Sequence, residues 1–204
     1  MDYTDAVAAR YSAYMLDDRI EEAGASFDDV VSMIRRIAPE VPSSYNSQSC
    51  RLVVLGGDAH REFWSLVTDV LRDKVSDEAR FARTESKMRM FSAAAGTVLF
   101  YEVDPITDEL KREHPTYADV FPVWAEHGNA MMQFAVWTAF FDMGLAANIQ
   151  HYNPLIDGKV KEAFDIPDGY RLVCQMVFGR PAGPRAEKDK LSGDELVSVR
   201  TGSR

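Results

Sequence analysis

The sequence predicts an α+β protein, a few short strands covered by many helices. Short apolar runs rich in β-branched and aromatic residues recur, and glycines punctuate them. Between them lie longer stretches whose apolar residues repeat at helical spacing. At 204 residues, 46% hydrophobic and 27% charged, the chain is long enough for a real core and has ordinary soluble composition. No repeat, linker or composition shift divides it. One domain over residues 1–204 is expected, with about 182–204 as an extended tail.

Helical signals dominate the first forty residues. Ser26-Phe27-Asp28-Asp29 reads as a capping box, followed by Val30, Ile34 and Ile37 at helical spacing, until Pro39 and Pro42 end the helix. Arg51 to Leu55, closed by Gly56-Gly57, reads as a strand. His60 to Val75 is amphipathic, with Phe63, Leu66, Val67, Val70 and Leu71 on one face. A second helix over about Asp77 to Ala94 turns Phe81, Met88 and Phe91 inward. Thr97 to Tyr101 is the next strand. A long helix follows over roughly Val123 to Met143, with Gly144 at its C-terminal cap. Ala146 to Tyr152 and Arg171 to Phe178 are the third and fourth strands.

The net charge is −9 and the isoelectric point about 4.9. Such a surface repels polyphosphate and anionic bilayers, which argues against nucleic acid and membrane partners. An anionic ligand would need locally gathered cations. Met1 to Asp5 lacks the basic start and apolar run of a secretory signal, and Ala130 to Phe141 is too short to span a bilayer. A cytoplasmic location is the expectation. Cys50 and Cys174 stand far apart outside any CxxC pattern and read as ordinary semi-buried thiols.

Catalytic motifs are mostly absent. No GxGxxG, P-loop or GxSxG elbow appears, and His60, His114, His127 and His151 are scattered without a metal-ligand pair. No metal is expected. An enzyme with this sequence would draw its reactivity from a cofactor.

Four segments in order carry a resemblance. They are Arg10-Tyr11-Ser12; the loop Pro42-Ser43-Ser44-Tyr45-Asn46-Ser47-Gln48-Ser49; Thr84-Glu85-Ser86-Lys87 ahead of a strand; and Phe121 to Trp124 through Gln133 to Trp137 to Gln150-His151-Tyr152-Asn153-Pro154. Together they resemble the nitroreductase family, in particular its short bacterial and fungal branch, from about residue 8 to about residue 190. The resemblance implies an α+β sandwich with a central, mostly antiparallel sheet, an interlocked homodimer and FMN sites at its interface.

It also implies roles. Arg10 with Ser12, and Lys188 with Lys190, would clamp the FMN phosphate. Lys87 would stabilise the anionic reduced ring, with Thr84 hydrogen-bonding nearby. Ser43, Ser44 and Asn46 would bond the ring system while Gln48 fixes the loop. Gln150 and His151 would offer a strand end and its backbone N–H. No side-chain acid is obligatory. NADH or NADPH would donate hydride and a nitroaromatic or quinone would accept it at the same position, in a ping-pong cycle. Tyr117, Trp124 and Tyr152 would wall the substrate pocket. Tyr11 replaces a second basic residue of the family pattern, so a phosphate or ring contact is lost or replaced by an aromatic one. Ser49-Cys50 replaces a frequent Pro-Trp behind the flavin. Two alternatives stay open: a flavin-binding protein of regulatory or storage role, and a different flavin chemistry on the same fold.

Overall fold

The computed structural model describes residues 2–202; Met1 and the last two tail residues lie outside them. In chain order the elements are α1 (Tyr3–Ala9), β1 (Leu16–Asp17), α2 (Phe27–Ile37), β2 (Cys50–Gly56), α3 (Gly57–Arg72), α4 (Glu78–Ser92), β3 (Gly96–Val103), α5 (Asp104–Glu113), α6 (Phe121–Asp142), β4 (Ala146–Gln150), α7 (Asp157–Ala163), β5 (Tyr170–Pro181) and α8 (Gly193–Leu196).

The strands form one antiparallel sheet. β3 lies between β2 and β5, β5 also pairs with β4, and its last residues pair with β1. A single parallel bridge joins Ser12 to Ala147 of β4. β3 is covered on both faces, so it reads as an apolar run and not an alternation. Leu99 and Tyr101 face α3 and α4, where Phe63, Trp64, Val67, Met88 and Phe91 are buried. Val98 and Phe100 face α2 and α6, against Val30, Ile34, Met132, Val136 and Phe140. Each face of the sheet thus carries its own apolar cluster.

Local signals explain most boundaries. Ser26 and Asp29 form the reciprocal capping box of α2, whose α-helical part stops at Ile37, before Pro39. Asp77 caps α4 through the Arg80 N–H. Gly144 takes φ of 74°, the left-handed geometry that closes α6. β4 stops at Gln150, two residues short of the sequence expectation. α5 and α7, both short and charged, and the two-residue β1 hold too few apolar residues to have been assigned. The first forty residues hold two separate α-helices, with β1 and a 3-10 turn over Ile20–Ala23 between them.

Helix α6 positions both halves of the candidate site. Its buried side, including Ala125, Gly128, Asn129, Met132 and Val136, meets the sheet. Its other side leaves Met131 and Phe134 exposed. No helix among the described residues is long and apolar enough to cross a membrane.

Candidate functional site

Segments 10–12 and 185–190 build a cation-rich groove of about 500 Å³, lined by Arg10, Tyr11, Ser12, Arg185, Glu187, Lys188 and Lys190. Arg10 follows the last residue of α1 and lies over the Trp137 ring of α6 at 4.3 Å. Its Nε is buried with no hydrogen-bond partner. Burial, and then the charge of Arg185, both pull the Arg10 pKa down. Arg185 donates to the carbonyls of Ala9 at 3.1 Å and Ala8 at 3.3 Å, tying the tail to the end of α1. It also sits 5.2 Å from the Tyr11 ring centroid, where the family pattern has a base. Four cations with one carboxylate beside them form an electrostatic trap for an anion. The orphaned Nε is the donor such an anion would satisfy, so the residues present fit a phosphate.

The start of β4 lies beside this groove. Ala13 donates to the Ala147 carbonyl at 3.0 Å, and Asn148 donates to the Ala13 carbonyl at 2.7 Å. These bonds fasten the Arg10–Ser12 segment to the sheet. Gln150 is buried, pairs with Gln175 of β5 in the sheet, and its amide donates to Asn148 Oδ1 at 2.7 Å. His151 is exposed. Tyr152 packs edge-on to Trp64 at 5.8 Å, and the Lys87 ammonium of α4 lies 5.9 Å from its ring. Thr84, one turn before Lys87, donates to the Arg80 carbonyl at 3.3 Å.

The 42–49 loop has a different character. Tyr45, Asn46 and Gln48 all take positive φ, 56°, 51° and 46°, a geometry uncommon outside glycine. The Ser43 hydroxyl accepts from the Gln48 N–H at 2.9 Å, and the Gln48 carbonyl accepts from Arg51 at 2.5 Å. Ser44 and Asn46 bound the short 3-10 turn between them. Tyr45 stacks on Trp124 with ring centroids 6.3 Å apart, and Trp124 meets Tyr117 at 5.8 Å. His114 and Phe121 complete this aromatic group.

Within one chain the expected residues therefore fall into two sets. Arg10, Tyr11, Ser12, Lys188 and Lys190 share the groove, with Gln150, His151, Tyr152, Thr84 and Lys87 on the adjoining elements. Ser43, Ser44, Asn46 and Gln48 group with Tyr117 and Trp124 instead. A Cβ at Gly128 would lie 3.7 Å from that of Ser43, so the loop docks near Gly128 while Arg10 docks on Trp137. Nine residues of helix separate those anchors, about 14 Å. Tyr152 stands apart from the two aromatics with which it was grouped.

The sequence reading missed Arg185, although a third cation stands visibly in Arg185-Ala186-Glu187-Lys188-Asp189-Lys190. It also missed Tyr45, whose aromatic ring in a Ser/Asn-rich loop was the signal. Gln175 of β5 accepts from the Tyr152 N–H at 2.9 Å and donates to Asn153 at 3.2 Å, bracing the segment after β4. Its sole trace in the sequence is a polar residue inside an apolar strand. Among the described residues, no three His, Cys, Asp or Glu side chains gather as a metal cluster.

Residues 27–180 match the model of the nitroreductase family. The chain is 31% identical to the nitroreductase FRM2 of Saccharomyces cerevisiae over 189 residues, 91% of each protein. The structure superposes on the nitroreductase CinD of Lactococcus lactis, solved in complex with chloramphenicol, with a TM-score of 0.88 at 32% identity, covering 98% of this chain and 100% of that one. A nitroreductase of Desulfitobacterium hafniense with bound FMN shares the fold at a TM-score of 0.70 and 18% identity, over 98% and 100% of the two chains.

Proposed function

The chain belongs to the nitroreductase family, and we propose that it is an FMN-dependent oxidoreductase moving hydride equivalents from NADH or NADPH to small acceptors such as nitroaromatics and quinones. The observation that carries the cofactor assignment is the groove of Arg10, Ser12, Arg185, Lys188 and Lys190 with its unpartnered Arg10 Nε. An acidic protein that concentrates cations at one place is built to hold an anion there.

FMN, when bound, supplies the centre that accepts and returns hydride. The chain's own residues hold and tune it. Arg10, Ser12, Lys188 and Lys190 grip the phosphate, and Arg185 keeps the tail in place while adding charge. Lys87, the cation near Tyr152, stabilises negative charge on the reduced ring. Ser43, Ser44 and Asn46 hydrogen-bond the ring, with Gln48 fixing their loop. The Gln150 backbone, beside His151, meets the ring at the end of β4. Tyr117 and Trp124 form one wall of the opening and Tyr152 another. Donor and acceptor take turns at that opening, and solvent supplies protons.

Because the loop and the phosphate groove lie at opposite ends of the α6 contact, a homodimer that packs α6 of two copies together unites them. Support comes from an apolar groove of about 810 Å³ lined by Tyr3, Ala6, Ala130, Met131, Phe134 and Ala135 among others. Such a face left in water is costly, and a two-fold contact would cover it. Residues 1–204 are assigned to one domain, with both clusters packed on a single sheet. The free thiols Cys50 and Cys174 accord with a reducing, cytoplasmic compartment.

The test is an absorption spectrum of the purified protein with FMN, before and after anaerobic NADH or NADPH. Visible flavin bands that bleach on reduction, and return with a nitroaromatic, are the expected result. A protein that refuses FMN overturns the assignment. Bound FMN that neither nicotinamide reduces would turn the assignment to a flavin-storage protein.

A further inference from the structure

Glu102 is a carboxyl to which the proposed chemistry gives no task. It lies near the end of β3, fully buried, and pairs in register with Cys50 at the start of β2. Oε1 accepts from Asn129 Nδ2 at 2.8 Å, while Oε2 is buried with no hydrogen-bond partner. Asn129, on α6 and itself fully buried, also faces the Tyr101 carbonyl at 3.3 Å, and its Oδ1 accepts from Gln133 at 2.7 Å. Ser49, at the end of the loop, is buried and its carbonyl accepts from the N–H of Val103, the residue after Glu102, at 3.0 Å, which brings its hydroxyl near enough to hold the carboxyl's pKa down. Glu102 and Ser49 line a cavity of about 190 Å³ beneath the loop, which Ser43, Ser47 and Gln48 also line.

We propose that Glu102 is a positioning residue for the 42–49 loop, pinning the loop's end to α6 through Ser49 and Asn129 and so holding it in shape for the flavin. It rests on the assignment of this loop to FMN. Burial raises the Glu102 pKa from 4.5, and the Ser49 and Asn129 hydrogen bonds pull it only partly back. Glu126 on α6 adds to the rise. Arg171 of β5 opposes it, but is already paired with Asp104 at 3.1 Å and Glu126 at 2.8 Å. The uncharged acid keeps an O–H to donate, and the unpaired Oε2 is the atom free to carry it.

Opening the loop would hydrate Glu102 and return it to its ordinary value. The closed loop therefore binds the extra proton, so closure weakens as pH rises from 4.5 towards the raised value and levels off above it. One proton corresponds to about tenfold per pH unit in that window.

The test is amide hydrogen exchange of the full-length protein across a pH series, corrected for intrinsic rates and read at the Gln48 N–H. Its protection is expected to fall about tenfold per pH unit over part of the range. Glu102→Gln should flatten the profile, and Ser49→Ala should move the break to higher pH, which loss of a merely structural contact would not do. If Glu102→Gln fails to fold, the wild-type slope and the Ser49→Ala displacement decide. A flat wild-type profile, a slope that survives Glu102→Gln, or a break that Ser49→Ala leaves in place overturns the pin. FMN titration of the same samples separates the two assignments. Protein that binds FMN with a flat profile loses only the pin; protein with the slope but no FMN binding keeps a loop latch and loses its proposed flavin role.

Discussion

At one end of the α6 contact, Trp137 lies under Arg10 in a groove of four cations. At the other, Gly128 and Trp124 support a loop with three left-handed residues. The groove is assembled from side chains on ordinary backbone, fastened by hydrogen bonds from Asn148 and Arg185 to main-chain carbonyls. The loop is the reverse, distinguished by backbone shape and held by the Ser43–Gln48 bond above a buried acid. Charge can be gathered cheaply on any rigid frame. A strained loop needs its whole surrounding to stay put.

The comparison breaks most severely if the two ends never meet. Phe134→Asp places a charge in the apolar groove of α6 and should yield a monomer by sedimentation. FMN affinity should fall more than about a hundredfold, since disrupting a packed interface centre costs upwards of about 3 kcal/mol. A monomer that keeps tight FMN would mean the groove is self-sufficient and the loop serves something else.

Two buried groups outside the groove, His60 on the far side of the sheet and Glu102 under the loop, should answer pH in opposite directions. On the α3 and α4 side, His60 is buried with Nδ1 3.0 Å from the Thr97 hydroxyl and Nε2 3.1 Å from the Phe91 carbonyl. The Trp64 N–H donates to the same Thr97 oxygen at 3.0 Å. These partners suit a neutral ring with its proton on Nε2, and burial pushes the His60 pKa down to about 4. The unfolded chain then binds the extra proton, so stability is whole above pH 6.5 and is lost as pH falls towards 4. The loss amounts to about 3 kcal/mol. Urea melts along that window should show it, and His60→Gln should remove it. Glu102 has the other sign, its closed state weakening as pH rises above 4.5.

Legibility followed the same division. The groove's membership could be read from sequence because it rests on residue identity: Arg10, Ser12, Lys188 and Lys190 each stand at a position of the family pattern, and the structure brings them together. The main elements were legible because α2 and α3 carry helical periodicity and β2 and β3 are short apolar runs. The loop's residues stand out in the sequence, yet neither the left-handed backbone of Tyr45 and Gln48 nor the buried carboxyl beneath them follows from residue type. Glu102 in an apolar strand looks like an edge position until Asn129, 27 residues onward, is found against it. Tyr152 packs within the chain on Trp64 of α3, while Trp124 packs on Tyr45 and Tyr117, a division that residue type alone does not show.

A gentler probe of the groove is Arg10→Ala. Charge-assisted hydrogen bonds to a phosphate are worth about 2 kcal/mol, so FMN affinity should drop roughly thirtyfold. Riboflavin, which lacks the phosphate, should bind wild type and variant alike. Equal losses for both ligands would show that Arg10 supports Trp137 packing and not the anion.

The smallest effect belongs to the aromatic end. Tyr45 pairs with Trp124, Phe121 and His114, but half of its surface stays exposed. Tyr45→Asn keeps a residue that tolerates positive φ while deleting the ring. Loss of the aromatic pairing is worth about 1 kcal/mol, which should raise the KM for a nitroaromatic roughly fivefold and leave the affinity for FMN almost unchanged. Tyr45→Phe, which keeps the ring, should restore the KM. If Tyr45→Asn instead releases FMN with no change in KM, the ring's work is to hold the loop, and both ends of the contact serve the cofactor alone.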